Sequence, residues 1–351
     1  MRVVEKPVRI QDVAKAAGVS TATVSRALSN PALLSEGTRD AVLEAIRATG
    51  YRVNRAARSL RRQEARAVLV LVPNLGNPFF SEILAGLSAV MGEADYSVLI
   101  TDTKGETHED PALLDAFRDS RVDGMISLDG SMCVRDLRTL ASRGGEGRIV
   151  FACEWVRDAH LPSVRSDNLE GARLAVRHLH DLGHRRIAHV TGPEDNVLTH
   201  MRRQGMLEER ARLNLPTRDE WIIRGDFSLR SGAHAAARIL EMRERPSAVF
   251  CASDQVAFGL ISALQAGGVR VPEDLSVIGF DDIELSAYYV PALTTIRQDR
   301  RRLGESAARM LLDRLGASGP FAGGRAACDS EVVTLGVELV VRDSTCPPIV
   351  A

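Results

Sequence analysis

The chain has 351 residues, of which 45% are hydrophobic and 26% charged, more than one typical domain requires and enough to fill sizeable cores. No apolar run is long enough to cross a bilayer, which argues against a membrane protein. The net charge of −1 hides an asymmetry: residues 1–66 carry 13 Lys/Arg against 6 Asp/Glu (+7), and the rest carry 32 against 40 (−8), so a polyanion would be met by the amino-terminal segment alone.

Residues 10–28 have the pattern of two short helices across a tight turn. Ala14 and Ala17 keep the first helix thin where the second crosses it, Gly18 supplies the turn, and Ser20 is placed to cap the second. In the second helix Val24, Ala27 and Leu28 form a face that can be buried, while Thr21, Ala22, Ser25 and Arg26 share the outward one. Small polar side chains and an arginine at the start of an outward helical face are what major-groove reading requires. An ordinary helical hairpin with a polar outer face is the alternative. Ser35 is expected to cap a third helix running to about Thr49, with Val42, Leu43 and Ile46 facing the first two and Gly50 ending it. Residues 51–62 form a basic segment with Asn54 as a helix cap. It is too short to be stable alone, and orders only when DNA or a second copy holds it; a plain solvated linker is the alternative.

From Ala67 onward, short β-branched runs alternate with helical patterns, the signature of parallel sheets wrapped by helices. Strands are expected at 67–73, 98–102, 123–128, 149–153, 186–191, 248–252 and 276–280, with helices at 78–94, 170–182, 230–242, 255–266 and 303–315. Two layered units fit this length. They divide near Val164–Asp167, and Leu293–Asp299 reads as a crossing back. Ligands of open parallel sheets bind beyond the carboxyl ends of the strands. Asn74 to Phe80, Asp102, Glu154, Asp167, Ser253-Asp254 and Asp281-Asp282 stand at such positions.

In this order the chain resembles the lactose/galactose repressor (LacI/GalR) family of bacterial transcription regulators. The likeness spans essentially the whole length. Its specific stretches are residues 12–20 with Thr23-Val24-Ser25-Arg26, then Asn77-Pro78-Phe79-Phe80, Gly183-His184, Ile278-Gly279-Phe280-Asp281-Asp282, Leu293-Thr294-Thr295 and Glu338-Leu339-Val340-Val341-Arg342. The resemblance implies an N-terminal all-α helix-turn-helix headpiece (1–53), a hinge (54–66) and an α/β periplasmic-binding-protein-like core (67–351) of two Rossmann-like subdomains. These would be about 67–166 with 297–328, and 167–296 with 329–346. It implies a repressor whose affinity for pseudo-palindromic operator DNA is set by a small molecule bound between the subdomains.

By the same resemblance Thr21, Ala22 and Arg26 contact bases. Asn54 to Leu60, with Arg55 and Ala57, form a hinge helix in the minor groove, with Leu60 as the wedge that unstacks a base step; Leu60 could instead cover its own linker. Val53 replaces the proline usual in the family, which loosens the start of that helix. The effector residues implied are Phe79, Phe80, Glu154, Asn196, Arg202, Phe227, Ser253 and Asp281, a set suited to a carbohydrate or similar polar molecule. Against this, one of Phe79 and Phe80 could be plain core, Asp281-Asp282 a helix cap, and Arg202 half of a surface ion pair. Glu154 stands where the family commonly has aspartate. Arg165 and Arg202 leave room for an acidic sugar.

No GxxxxGK[ST], GxGxxG after a first strand, or GxSxG is present, so catalysis has no visible apparatus and no cofactor is expected. His178, His180, His184 and His189 lack metal-ligand spacing. The five cysteines (Cys133, Cys153, Cys251, Cys328, Cys346) are scattered without CxxC, and no signal-peptide core is seen. A cytoplasmic, nucleoid-associated protein is therefore expected. The resemblance implies a homodimer paired through the first subdomains; the tail after Arg342 has two prolines and no heptads for a coiled coil. A second class of function is a small-molecule receptor or sugar enzyme whose helical hairpin contacts protein. Salt dependence separates the two, because only phosphate contact releases counterions.

Overall fold

A computed structural model of the chain describes residues 8–29, 31–51, 64–103, 121–132, 134–135, 137, 146–316 and 331–349. It divides into two compact units between Glu64 and Ala65.

In the first unit, helices α1 (Ile10–Ala16), α2 (Thr21–Ser29) and α3 (Glu36–Thr49) surround a small core of Val13, Ala14, Val24, Ala27, Val42 and Ala45. Three of these six are alanines, which lets the helix axes approach closely. Gly18 turns the chain at φ +65 and Gly50 ends α3 at φ +65, a left-handed conformation that costs glycine little. Ser20 Oγ accepts the Thr23 amide at 3.1 Å, as a cap should. Two details differ from the sequence reading. Leu43 is 39% exposed and Ala45 takes its place in the core, because α3 presents its 42/45/46 stripe inward. Ser35 occupies the N-cap position, but its hydroxyl pairs with the Thr38 hydroxyl at 2.8 Å and accepts no amide.

The second unit contains two six-stranded sheets. The first layer has strand order β11-β5-β4-β3-β1-β2, with β1 (Ala67–Val72), β2 (Ser97–Asp102), β3 (Gly124–Ser127), β4 (Ile149–Ala152), β5 (Ser163–Ser166) and β11 (Val332–Leu335), all parallel. The second has order β12-β10-β9-β8-β6-β7, with β6 (Ile187–Val190), β7 (Ile222–Ile223), β8 (Ala248–Cys251), β9 (Ser276–Asp281), β10 (Thr294–Gln298) and β12 (Val337–Val340). It is parallel except for the edge pair β10–β12. Helices α4 (Phe79–Glu93), α5 (Asn168–Asp181), α6 (Val197–Arg212), α7 (Leu229–Glu241), α8 (Asp254–Ala266) and α9 (Arg300–Arg314) cover the sheets. β1, β3, β4, β6, β8 and β9 are buried along their whole length, which is why they read as continuous apolar runs.

Among the described residues the chain passes between the layers at Asp167, Asp299 and Gly336. Asp167 and Asp299 share one geometry (φ −74, ψ 77 and φ −76, ψ 75), and each caps the helix that follows, through the amides of Glu170 and Arg302. Asp167, one of the strand-end positions, thus serves as a helix cap. The segment 293–299 contains strand β10 of the second sheet before the crossing. The expected division gave 329–346 to the second subdomain, but Val332–Leu335 pairs with β5 in the first sheet and only β12 returns to the second.

Within each layer the helices pair through glycine notches. A Cβ on Gly86 would overlap the Arg301 carbonyl oxygen and one on Gly304 that of Ile83, so α4 and α9 lie backbone to backbone; Gly232 and Gly259 do the same for α7 and α8. Such pairs leave no slack, so each layer moves as a stiff block. Gly304→Ala is expected to cost about 1–3 kcal/mol in urea unfolding of the core. Gly92→Ala, in the same helix pair but with nothing within 4 Å of its Cβ, should be neutral or stabilising by up to about 1 kcal/mol; equal effects would refute the notch.

Candidate functional sites

The first candidate site is the outer face of α2. Thr21, Ala22 and Arg26 are exposed and Ser25 is half-buried, while Val24 and Ala27 on the opposite side are buried. The first turn of α2 carries no acidic residue, so its partial positive end is left free to meet an anion. The expected hinge residues Asn54, Arg55, Ala57 and Leu60 lie outside the described residues.

The second site forms where strand ends of both layers meet, and its centre is Arg202. Only 2% exposed, Arg202 is held from every side: Nε donates to Asn168 Oδ1 at 2.9 Å, a terminal nitrogen donates to the Ala252 carbonyl, and the other stands 3.8 Å from Asp281 Oδ1. The guanidinium carbon lies 3.8 Å from the centre of the Phe280 ring and 5.8 Å from that of Phe227. Arg202 is therefore a buried hub, not half of a surface ion pair.

Carboxylates crowd around this cation. Glu154, after β4, accepts the Gly130 amide at 3.1 Å and a hydrogen bond from Asn196. Asn196 in turn caps α6 through the Leu198 amide at 2.8 Å, so its amide nitrogen is left to face Glu154. Burial pushes the Glu154 carboxyl up to about 7, against the pull of those two donors and Arg202. Asp281 and Asp254 are also raised, first by burial, and in Asp254 further by the neighbouring Asp281. Gln298 Nε2 donates to Asp281 at 2.7 Å, and Asp254 takes Ile283 N, Ser286 Oγ and Thr295 Oγ1 within 2.9 Å. Backbone strain gathers here too. Cys153, Phe227, Asp281 and Asp282 have φ of +68, +64, +122 and +51, each costing on the order of 1–3 kcal/mol, and such strain is characteristic of ligand sites.

The structure thus brings Glu154, Asn196, Arg202, Phe227 and Asp281 together. Ser253 stands beside them as a brace, its hydroxyl accepting the Val256 amide at 3.3 Å and donating to the Phe227 carbonyl at 3.5 Å. Phe79 and Phe80 are both buried, packed edge to face at 5.1 Å within the apolar core. Arg165 lies under Trp155 at 3.9 Å and bonds Ser163 Oγ at 2.8 Å. The histidines are dispersed: His178 meets Thr345, His184 meets Ser247 and the Cys346 carbonyl, and His189 meets the Phe250 carbonyl. Sequence reasoning missed Asn168 and Gln298. Asn168 follows a strand that a four-residue run with two serines and an arginine conceals, and Gln298 ends a strand read as a crossing. Asp129, buried just after β3, carries the same positional signal as Glu154 and could have been found by it.

Comparison with known proteins gives two family matches. Residues 9–54 match the bacterial regulatory proteins, lacI family, and residues 176–345 match the periplasmic binding protein-like domain. The chain is 38% identical over 341 residues, 97% of each chain, to the HTH-type transcriptional repressor CytR of Escherichia coli (strain K12). It is similar to the crystal structure of the lac repressor dimer bound to operator and the anti-inducer ONPF (TM-score 0.84, 30% identity, 97% of this chain and 100% of that one). It is also similar to the transcriptional regulator CelR–cellobiose complex (TM-score 0.71, 29% identity, 96% and 99%).

The raised Glu154 acidity sets a sign for pH dependence. The folded chain holds this proton up to about pH 7, whereas an ordinary solvated glutamate loses it at 4.5. The resulting stability is full below 4.5 and lost as pH rises through 7, by about 3 kcal/mol; Asp254 and Asp281 act in the same direction. Thermal unfolding of Glu154→Gln between pH 5 and 7.5 should fall less steeply than wild type, and parallel curves would disprove the assignment.

Proposed function

Because this chain belongs to the lacI family of bacterial regulatory proteins, we propose that it is a sequence-specific repressor whose hold on operator DNA is set by a carbohydrate in the Arg202 cleft. The observation that carries this reading is the joining, in one chain, of a cationic three-helix unit with Thr21, Ala22 and Arg26 turned outward to a core centred on a buried, polar strand-end site. Arg26 bonds a guanine edge or phosphate, Thr21 and Ala22 meet base edges, and Ser25 supports them. Two copies pair so that both α2 helices address one pseudo-palindromic duplex. Asn54 to Leu60 fold into hinge helices on the minor groove, where Leu60 opens a base step.

In the cleft, the carboxylates of Glu154 and Asp281 accept hydroxyl hydrogens, Arg202 and Asn196 donate, and the Phe227 ring covers an apolar sugar face. The similar transcriptional regulator solved as a complex with cellobiose supports a sugar as the ligand class. A ligand touching both layers has different affinity for different inter-layer angles, and that difference is what it can exert on operator affinity. The chain works by binding, without catalysis, in the cytoplasm at the nucleoid.

The reading is tested by selecting duplexes from a random pool and titrating the best by fluorescence anisotropy over a salt series. Affinity should fall steeply with salt. Arg26→Ala should cost about 1–3 kcal/mol and relax preference at one base position; salt-independent or sequence-blind binding would contradict the reading. A thermal-shift screen of sugars, sugar acids and nucleosides, with hits retested for operator affinity, identifies the effector.

A further inference from the structure

Arg300, the first residue of α9, stands directly after the Asp299 crossing and makes no use of a carboxylate partner in its two described hydrogen bonds. One terminal nitrogen donates to the Asp282 carbonyl at 3.1 Å and the other reaches the Pro78 carbonyl at 3.5 Å. These oxygens belong to different layers. Pro78 is the N-cap of α4, which the Gly86 and Gly304 notches fix rigidly to α9, whereas Asp282 directly follows β9 of the second sheet. The guanidinium therefore spans the gap that any change of inter-layer angle must alter.

The residue it grips is the one best placed to transmit such a change. Asp281 faces Arg202 and Gln298, while the Asp282 carboxylate is fixed by Arg297 Nε and Arg342 Nη2, both at 2.6 Å. With side chains pinned on both sides and both residues at positive φ, this dipeptide has little freedom except to move as a unit with its carbonyl. Beside it lies an open cavity of about 580 Å³ lined largely by charged groups, among them Glu82, Arg297, Asp299, Arg300 and Glu338. The lining at this edge of the inter-layer gap is polar, so the ties that cross it there are polar ones.

We infer that Arg300 is a positioning residue that ties the start of α4 to the Asp281–Asp282 turn and thereby sets the angle between the layers on which the effector response depends. The effector part of this inference rests on the repressor reading; the tie itself does not.

The test uses the full chain without DNA or sugar. Bioorthogonal fluorophores are placed at the exposed positions Glu93 (α4) and Glu241 (α7) in protein diluted with excess unlabelled chain, and inter-label distances are read by single-molecule transfer. Arg300→Met removes both donors and should lower the population at the wild-type spacing, by about five-fold in equilibrium constant for one such bond. Arg300→Lys, which keeps the charge and can reach one oxygen, should lie between the two. Arg301→Met, whose ion pair is with Glu305 on its own helix, should match wild type and controls for loss of an arginine. Superimposed distributions for wild type and Arg300→Met would overturn the inference, as would an equal shift in Arg301→Met. If no duplex is selected by the wild-type protein, the repressor reading fails while these distances still decide the tie.

Discussion

A guanidinium removed from water must be given partners on every side, and in this molecule Arg202 imposes that demand on three chain segments at once. Isolated burial of such a charge costs several kcal/mol. The cost is offset only because Asn168 from the β5–α5 crossing, the Ala252 carbonyl after β8, and Phe280 and Asp281 at the end of β9 converge on it. Each of those positions lies at the carboxyl end of a strand or at a passage between layers. The same constraint keeps three acidic groups close to one cation in a site with little water, which is why burial raises Glu154, Asp254 and Asp281 together. A polar ligand with several hydroxyls would relieve part of this crowding by supplying donors.

Around this hub the layers are stiff and the passages between them are narrow. The glycine notches make each helix pair inextensible, whereas Asp167, Asp299 and Gly336 are single residues through which the chain changes layer. Where stiff layers are joined through such passages among the described residues, the angle between the layers is the coordinate a ligand can most readily alter. Ligand binding can act on DNA occupancy only to the extent that it prefers one such angle. The account therefore locates regulation in the strand-end residues and not in the sheets.

Much of this was legible in the sequence, and the losses have physical causes. Apolar runs buried on both faces gave six strands nearly to the residue, since a central parallel strand cannot hide its hydrophobicity, and the edge strand β2 showed through its Val98-Leu99-Ile100 run. β7 escaped because it is two residues long, β5, β11 and β12 because each mixes polar side chains into a run that is not wholly buried, and β10 because Thr294-Thr295-Ile296-Arg297-Gln298 does the same. The tail was misassigned by one strand because pairing of Val332–Leu335 with β5 is a long-range choice that no local pattern records. At the candidate site, Glu154, Asn196, Phe227 and Asp281 were expected from position and resemblance and stand together in the fold, but the burial of Arg202 was not foreseen. Asn168 and Gln298 act through geometry alone, so their types carry no signal.

The most direct measurement is operator titration of Arg202→Met beside wild type, with and without the sugar that most alters wild-type affinity. The account expects Arg202→Met to fold, to bind the selected duplex within about three-fold of wild type, and to lose the sugar's effect, since the hub is where ligand and layers meet. An undiminished sugar response in Arg202→Met would contradict it.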